Sequence, residues 1–251
     1  MRVVTWDDDR VSTRAAVAAA GPFTGARLRD SYLDAVRALT FGLVTMRANS
    51  LVFGPLELLR FGPPRVTRDA VDWPIEGGLL AGRPGGHWRV EASSARVEAI
   101  LTGYRPRLPR LLYTLSHLQV HQLFTRLFLL RVRGGEPAPG VRAAPQDRFR
   151  AAAVDVAFCL TLARLSGRRR LRRTLAIAIA YHVGCWSILG RTLGGLVLRQ
   201  RVVAVDGSRL TPAQSLLRLA MLPAAWIDLL VRPARERPVH DELASTDVIS
   251  D

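Results

Sequence analysis

The sequence predicts two folds in one chain. Residues 1–135 read as an α+β domain, an antiparallel sheet with a long C-terminal helix, and residues 148–249 as an all-α, membrane-embedded helical domain. Three observations predict this. Between 41 and 104 the chain breaks into short apolar runs punctuated by Gly and Pro, and a leucine-spaced helix follows. Two apolar segments, 151–166 and 174–190, flank the loop Arg168-Arg169-Arg170-Leu171-Arg172-Arg173, the pattern of a helical hairpin set in a membrane. Between the halves, the linker 136–147 lies in a Pro- and Gly-rich stretch, RGGEPAPGVRAAPQ from Arg133, that has no apolar periodicity.

In the first domain, residues 28–39 space Leu28, Tyr32, Ala35 and Leu39 as one face of a short amphipathic helix. The runs SLVFG, LELLRF, AVDWPI, HWRVEAS and ARVEAILTGY follow, interrupted by Gly62-Pro63-Pro64, Gly77-Gly78 and Arg83-Pro84-Gly85-Gly86. Such spacing predicts antiparallel hairpins. Leu112, Leu115, Leu118, Leu123, Leu127 and Leu130 then predict one long helix over 109–132, with Pro109 at its start. This order, a sheet followed by a long helix, over about 39–132, resembles the helix-grip (START-like) fold. The resemblance implies a pocket for a lipid or another hydrophobe.

Composition agrees with a mixed protein. A length of 251 residues allows one large domain or two modest ones. A hydrophobic fraction of 49% and a mean hydropathy of +0.12 are low for a polytopic membrane protein and high for a wholly soluble one. The net charge of +15 is carried by Arg alone, since the chain has no Lys. Such an excess favours anionic partners. Because apolar helices bracket the basic loop, Arg168, Arg169, Arg170, Arg172 and Arg173 are expected on anionic lipid headgroups and not on nucleic acid. Cys159 and Cys185 both lie within apolar segments, so a disulfide framework is not expected. The start MRVVTWDDDRVSTR is polar and lacks a secretory signal, which places the first domain in the cytoplasm.

Three stretches of the second domain follow a family pattern in order: RFRAAAVDVAF (148–158), GRTLGGLVLRQRVVAVDGSRLTPAQSLLR (190–218) and VHDELASTDVI (239–249). Together they resemble the RDD family, bacterial membrane proteins named for one Arg and two Asp. The resemblance assigns those positions to Arg148, Asp155 and Asp241, although Arg150 competes for the first. It implies a multi-pass domain in the cell membrane, and transport or ion exchange has been suggested for some members. Gly195 departs from the family pattern, which usually carries Lys or Arg there, and a cation's role at that position is not carried over.

A hydrocarbon core about 30 Å thick needs roughly 20 apolar residues. The segments 151–166, 174–190 and 215–231 are each marginal, and each carries polar groups: Asp155 and Arg164, His182, and Asp228. Central charges cost about 3 kcal/mol each on insertion scales. Asp155 and Arg164 lie on opposite helix faces, so Arg164 is expected to snorkel. Asp155 then needs a donor from Arg148, Arg150, His182 or the third segment. Orientation is contested. The positive-inside rule places the basic loop in the cytosol, whereas a cytoplasmic first domain requires a shallow hairpin with that loop at the headgroups.

Catalytic signatures are weak. His117 and His121 have i, i+4 spacing that can share a metal, with His87 or Glu91 as guessed further ligands, but solvent-facing or structural histidines are the expected reading. His182-x-x-Cys185, with Cys159 nearby, is a soft ligand pair short of a full set. GGLLAGRPGG (77–86) lacks a phosphate-loop pattern and reads as a hairpin turn. Trp73, Glu76, Trp88 and Glu91 read as residues of a sheet face. The sequence contains no GxSxG or CxxC, and the expectation is a non-enzyme without cofactor or metal. It is an integral membrane protein with a cytosolic sensor or ligand-binding domain, forming homo-oligomers if it transports. The alternatives are a small oligomeric cation or proton exchanger using Asp155, and a peripheral lipid- or hydrophobe-binding protein.

Overall fold

The computed structural model describes residues 2–134, 138–165, 170–224 and 237–251. The chain divides into two compact units, Met1–Gly134 and Gly135–Asp251.

The first unit opens with the hairpin β1 (Arg2–Asp7) and β2 (Arg10–Ala18), followed by α1 (Gly25–Leu39). Then come β3 (Val44–Arg47), β4 (Ser50–Phe53), β5 (Leu56–Phe61), β6 (Arg65–Val66), β7 (Ala70–Gly77), β8 (His87–Ala92) and β9 (Arg96–Tyr104). Every pairing is antiparallel, in the order β1-β2-β9-β8-β7-β5-β4-β3, with β6 beside β7. Trp73 of β7 stands opposite Trp88 of β8, and both indoles are buried.

Helix α1 follows its sequence pattern: Leu28, Tyr32, Ala35 and Val36 are buried, and Thr24 caps its first turn through the Arg27 N–H. It starts tight against the sheet. A Cβ on Gly25 would sit 2.3 Å from the carbonyl oxygens of both Thr67 and Ala70, so only glycine fits. Thr40 closes the other end, its hydroxyl donating to the Val36 carbonyl and accepting from the Val44 N–H.

The single long helix expected over 109–132 is two helices, α2 (Arg110–Leu115) and α3 (His117–Arg133). At Ser116 the backbone leaves helical geometry (φ −122°, ψ −85°), and its hydroxyl donates to the Leu112 carbonyl. A serine side chain competing for the backbone breaks a pattern whose leucine spacing runs straight through it. Helix α3 packs on α1, β2 and β9 and buries Leu118, Leu127, Phe128, Leu129 and Leu130.

The second unit comprises β10 (Val141–Arg142), α4 (Pro145–Leu165), α5 (Arg170–Gly184), a π-helical turn (Cys185–Leu189), α6 (Leu193–Val197), β11 (Gln200–Ala204), α7 (Pro212–Ala220), α8 (Val239–Ala244) and β12 (Thr246–Ser250). Helix α4 packs on α5 and α6, and α7 packs on α5 and α8. This helical unit is not all-α as expected: β10, β12 and β11 form a three-stranded antiparallel sheet. The β-branched pairs Val202-Val203 and Val248-Ile249 supply that strand chemistry, and the Asp206-Gly207 turn, with Gly207 at φ +77°, follows β11.

Among the described residues, no helix is long and apolar enough to cross a membrane. Helix α4 reaches 21 residues only by including Gln146, Asp147, Arg148 and Arg150 at its start, so its length and its apolar stretch do not coincide. The third expected span, 215–231, begins in α7, which ends at Ala220; residues 225–231, with Asp228, lie outside the described residues.

Candidate functional site

Two places gather chemistry. The first is a cavity of about 240 Å³ in the first unit, bounded by the sheet and by α1, α2 and α3. Its wall is aliphatic and aromatic, including Val36, Leu51, Phe61, Ile75, Leu101 and Phe124. Tyr32 anchors one side, its ring centroid 5.0 Å from that of Trp73, 5.9 Å from Trp88 and 5.6 Å from Phe128.

Polar atoms around the cavity are few. The Tyr104 hydroxyl donates to the Leu80 carbonyl at 2.6 Å. His121 Nε2 lies 3.3 Å from Thr13 Oγ1, and the imidazole meets the Trp88 ring edge-on at 5.3 Å. Burial lowers the His121 pKa to about 4, so the ring is neutral at pH 7. Trp88 is only 4% exposed, and its indole N–H has no hydrogen-bond partner.

The second place is a polar interior in the second unit, with three parts. Asp155 of α4 accepts from the Tyr181 hydroxyl (2.7 Å), the Thr192 hydroxyl (2.7 Å) and the Gly194 N–H (2.8 Å). Thr192 is the N-cap of α6, so the carboxylate and the cap together satisfy that helix start. Close contact makes this possible: a Cβ on Gly194 would lie 2.0 Å from the Ala151 carbonyl oxygen.

Asp241 of α8 is wholly buried and holds Arg148, Arg218 and Thr246 together. Arg148 Nη2 donates to one carboxylate oxygen; Arg218 Nε, at 2.8 Å, and the Thr246 hydroxyl, at 2.7 Å, donate to the other. Burial alone would raise the Asp241 pKa, but Arg218 and Arg148 override it and hold the carboxyl well below the usual carboxylate range. Arg218 also stacks on Trp186, 4.5 Å from its centroid. Nearby, Asp247 is paired with Arg142 at 3.3 Å and Arg237 at 3.4 Å.

Of the residues singled out by sequence, Arg148 and Asp241 are brought into one ion pair. Asp155 is held elsewhere; among the described residues its donors are Tyr181, Thr192 and a backbone N–H and not Arg148, Arg150 or His182. Thr192 was visible in the Gly190-x-Thr192-x-Gly194 pattern, while nothing in the sequence singled out Tyr181. His182 turns back to the Ala178 carbonyl at 2.8 Å and meets Trp186 edge-on at 5.0 Å. Arg164 is exposed near the end of α4. Arg168 and Arg169 lie outside the described residues, Arg170 opens α5, and Arg172 and Arg173 are exposed on its first turn.

His87 and Glu91, considered beside His117 and His121, sit on β8 and pair with Asp72 and Arg89. Among the described residues, no three His, Cys, Asp or Glu side chains are grouped to hold a metal. Cys159 and Cys185 are free.

Two buried carboxylates of this unit, Asp241 and Asp247, are each paired with Arg side chains. Residues 173–245 match the model of the RDD family, and this part of the chain is an RDD family domain. Asp241 and Arg218 fall within the matched residues, whereas their partner Arg148, like Asp155, precedes them. No curated protein and no solved structure matches the chain.

Proposed function

We propose that the protein binds a small hydrophobic molecule in its first unit and is held at a membrane by its RDD domain, as a sensor or carrier and not an enzyme. The apolar cavity of about 240 Å³ carries this reading. Ligand sites are concave and lined mostly by apolar and aromatic side chains with few polar groups, and this aromatic-walled space fits that description. The element order, with α3 laid against the sheet, supports the helix-grip interpretation. Exposed Phe41 and Leu43, between the lining residues Thr40 and Val44, and exposed Val120, itself a lining residue, give the opening an apolar rim.

Membrane attachment rests on the second unit's unpartnered apolar surface. Val156, Leu160 and Leu165 of α4 and Leu175 and Ile179 of α5 are exposed. Lipid covering these side chains, with Arg172 and Arg173 at anionic headgroups, turns a hydration cost into a gain. A hairpin inserted in this way suits a multi-pass protein whose helices cross in partnership, or one that enters a single leaflet. Asp155 accepts two donors on one oxygen and one on the other, a ligation to hydroxyls and backbone that favours a structural tie over cation exchange.

Two measurements test these halves separately. Native mass spectrometry of the full chain is expected to release a copurified small hydrophobe; a bare protein mass from every preparation refutes the binding half. Carbonate-washed membranes are expected to retain the protein until detergent is added. Release by carbonate or salt alone refutes insertion.

A further inference from the structure

We infer that the rim of the cavity is a membrane-docking surface. Phe41, Leu43, Leu111, Leu115 and Val120 enter the boundary between headgroups and acyl chains of a bilayer, so that the hydrophobe passes between lipid and cavity without crossing water. This rests on the hydrophobe-binding and membrane-attachment readings above and names the surface through which the first unit takes its ligand.

The five side chains are between 62% and 70% exposed. Apolar groups scattered singly over a surface are ordinary, whereas a gathered set marks a contact. These are gathered. Phe41 and Leu43 lie in the loop between Thr40 and Val44, both residues of the cavity wall. That loop is held: the Gly42 N–H bonds the Arg37 carbonyl and the Leu43 N–H bonds the Thr40 carbonyl. Val44 pairs with Phe53, and Phe53 with Leu56, which adds two further exposed apolar side chains. On α2, Leu111 and Leu115 flank Tyr113, and Tyr113 and Val120 both belong to the wall.

Charge selects the bilayer as the cover. The segments that form the rim, 35–44, 53–58, 79–84 and 105–120, carry Arg37, Arg83, Arg105, Arg107 and Arg110 against one acidic residue, Glu57. Glu57 is engaged by Ser50 and Arg60, and Arg105 pairs with Asp9. The acidic turn Asp7-Asp8-Asp9 is set off from α2 by Trp6, whose ring Arg110 covers at 4.9 Å. Arg37, Arg83 and Arg107 are exposed. An arginine stem lies along apolar surface while its guanidinium reaches a phosphate. Aliphatic and aromatic side chains ringed by cations compose a surface that lies in a membrane interface.

The test places the unaltered full chain in nanodiscs of phosphatidylglycerol and a phosphatidylcholine that carries a photoactivated diazirine on its acyl chain. Lipid adducts are mapped by mass spectrometry after irradiation. Adducts are expected in peptides holding Phe41–Leu43 and Leu111–Val120, and not at the exposed turn Ser93–Ala95 between β8 and β9. Phe41→Ser combined with Leu43→Ser is expected to lower the adducts at Leu111–Val120 severalfold, because both sides of the rim dock as one surface. Adducts on α4 and α5 without any at the rim overturn the docking while leaving membrane attachment intact, and a rim covered by a second copy gives this result. Equal labelling of the rim and of Ser93–Ala95, or no effect of the double variant, means random collision and overturns it too. A chain without adducts anywhere overturns the attachment reading as well.

Discussion

Asp241 shows what one carboxylate can do when it is removed from water. Its partners are an Arg from α4, an Arg from α7 and a Thr from β12, so a single side chain ties three elements to α8. Asp241→Asn would leave Arg218 buried with its charge uncompensated, and a loss of about 3–5 kcal/mol is expected, read as a lower melting temperature for the second unit. A loss below about 1 kcal/mol would show that the network is ornamental. Because the folded pKa is depressed, this stabilisation is present above the ordinary carboxylate value. It is lost progressively as pH falls from that ordinary value towards the much lower folded one.

His121 behaves in the opposite sense. Its folded pKa is about 4 against an ordinary 6.5, so the unfolded chain binds the extra proton between those values. The first unit is expected to lose on the order of 2 kcal/mol as pH drops from about 6.5 to about 4, and little more from this group below that. In His121→Phe the slope of stability against pH over that window should flatten. An unchanged slope would mean that His121 is not the titrating group.

At the scale of elements, close approach decides where glycine is needed. Gly194 lets the start of α6 press on the backbone of α4 at Ala151, which brings Thr192 and the Gly194 N–H to Asp155. Gly194→Ala is therefore expected to cost at least about 2 kcal/mol in thermal unfolding of the second unit, since backbone and not a flexible side chain must yield. A variant as stable as the parent would disprove that contact.

Legibility followed the same physics. Helix α1 was readable because Leu28, Tyr32 and Ala35 fall on one face that is in fact buried. The β7–β8 hairpin was readable from its glycines, of which Gly78, Gly85 and Gly86 adopt positive φ. The β1–β2 hairpin escaped notice because its acidic turn, Asp7-Asp8-Asp9, masked the alternation of RVSTRAAVA. Strands β11 and β12 were hidden inside family motifs, and the Ser116 break has no periodic signature. The pairing of Arg148 with Asp241 spans 93 residues, and no local pattern reports a contact of that range.

For the whole molecule, the two units place their apolar and polar groups differently. The first unit buries an aromatic core around its cavity and leaves Phe41, Leu43, Leu111, Leu115 and Val120 exposed. The second leaves aliphatic side chains of α4 and α5 exposed and sets polar contacts inside. Charge reversal is the check at this scale. Replacing Arg172 and Arg173 with Glu should weaken binding to vesicles rich in anionic lipid, by about 1 kcal/mol for each basic residue lost at the surface, and should matter little on neutral vesicles. Equal binding to both vesicle types would remove the headgroup role.

Strand β12 lies between β10 and β11, and the Arg142–Asp247 contact joins residues 105 apart. During synthesis, therefore, α4 and α5 leave the ribosome long before the last strand that locks their unit exists. Their greasy faces must find shelter in that interval, and a bilayer that receives them early offers what a delayed core cannot.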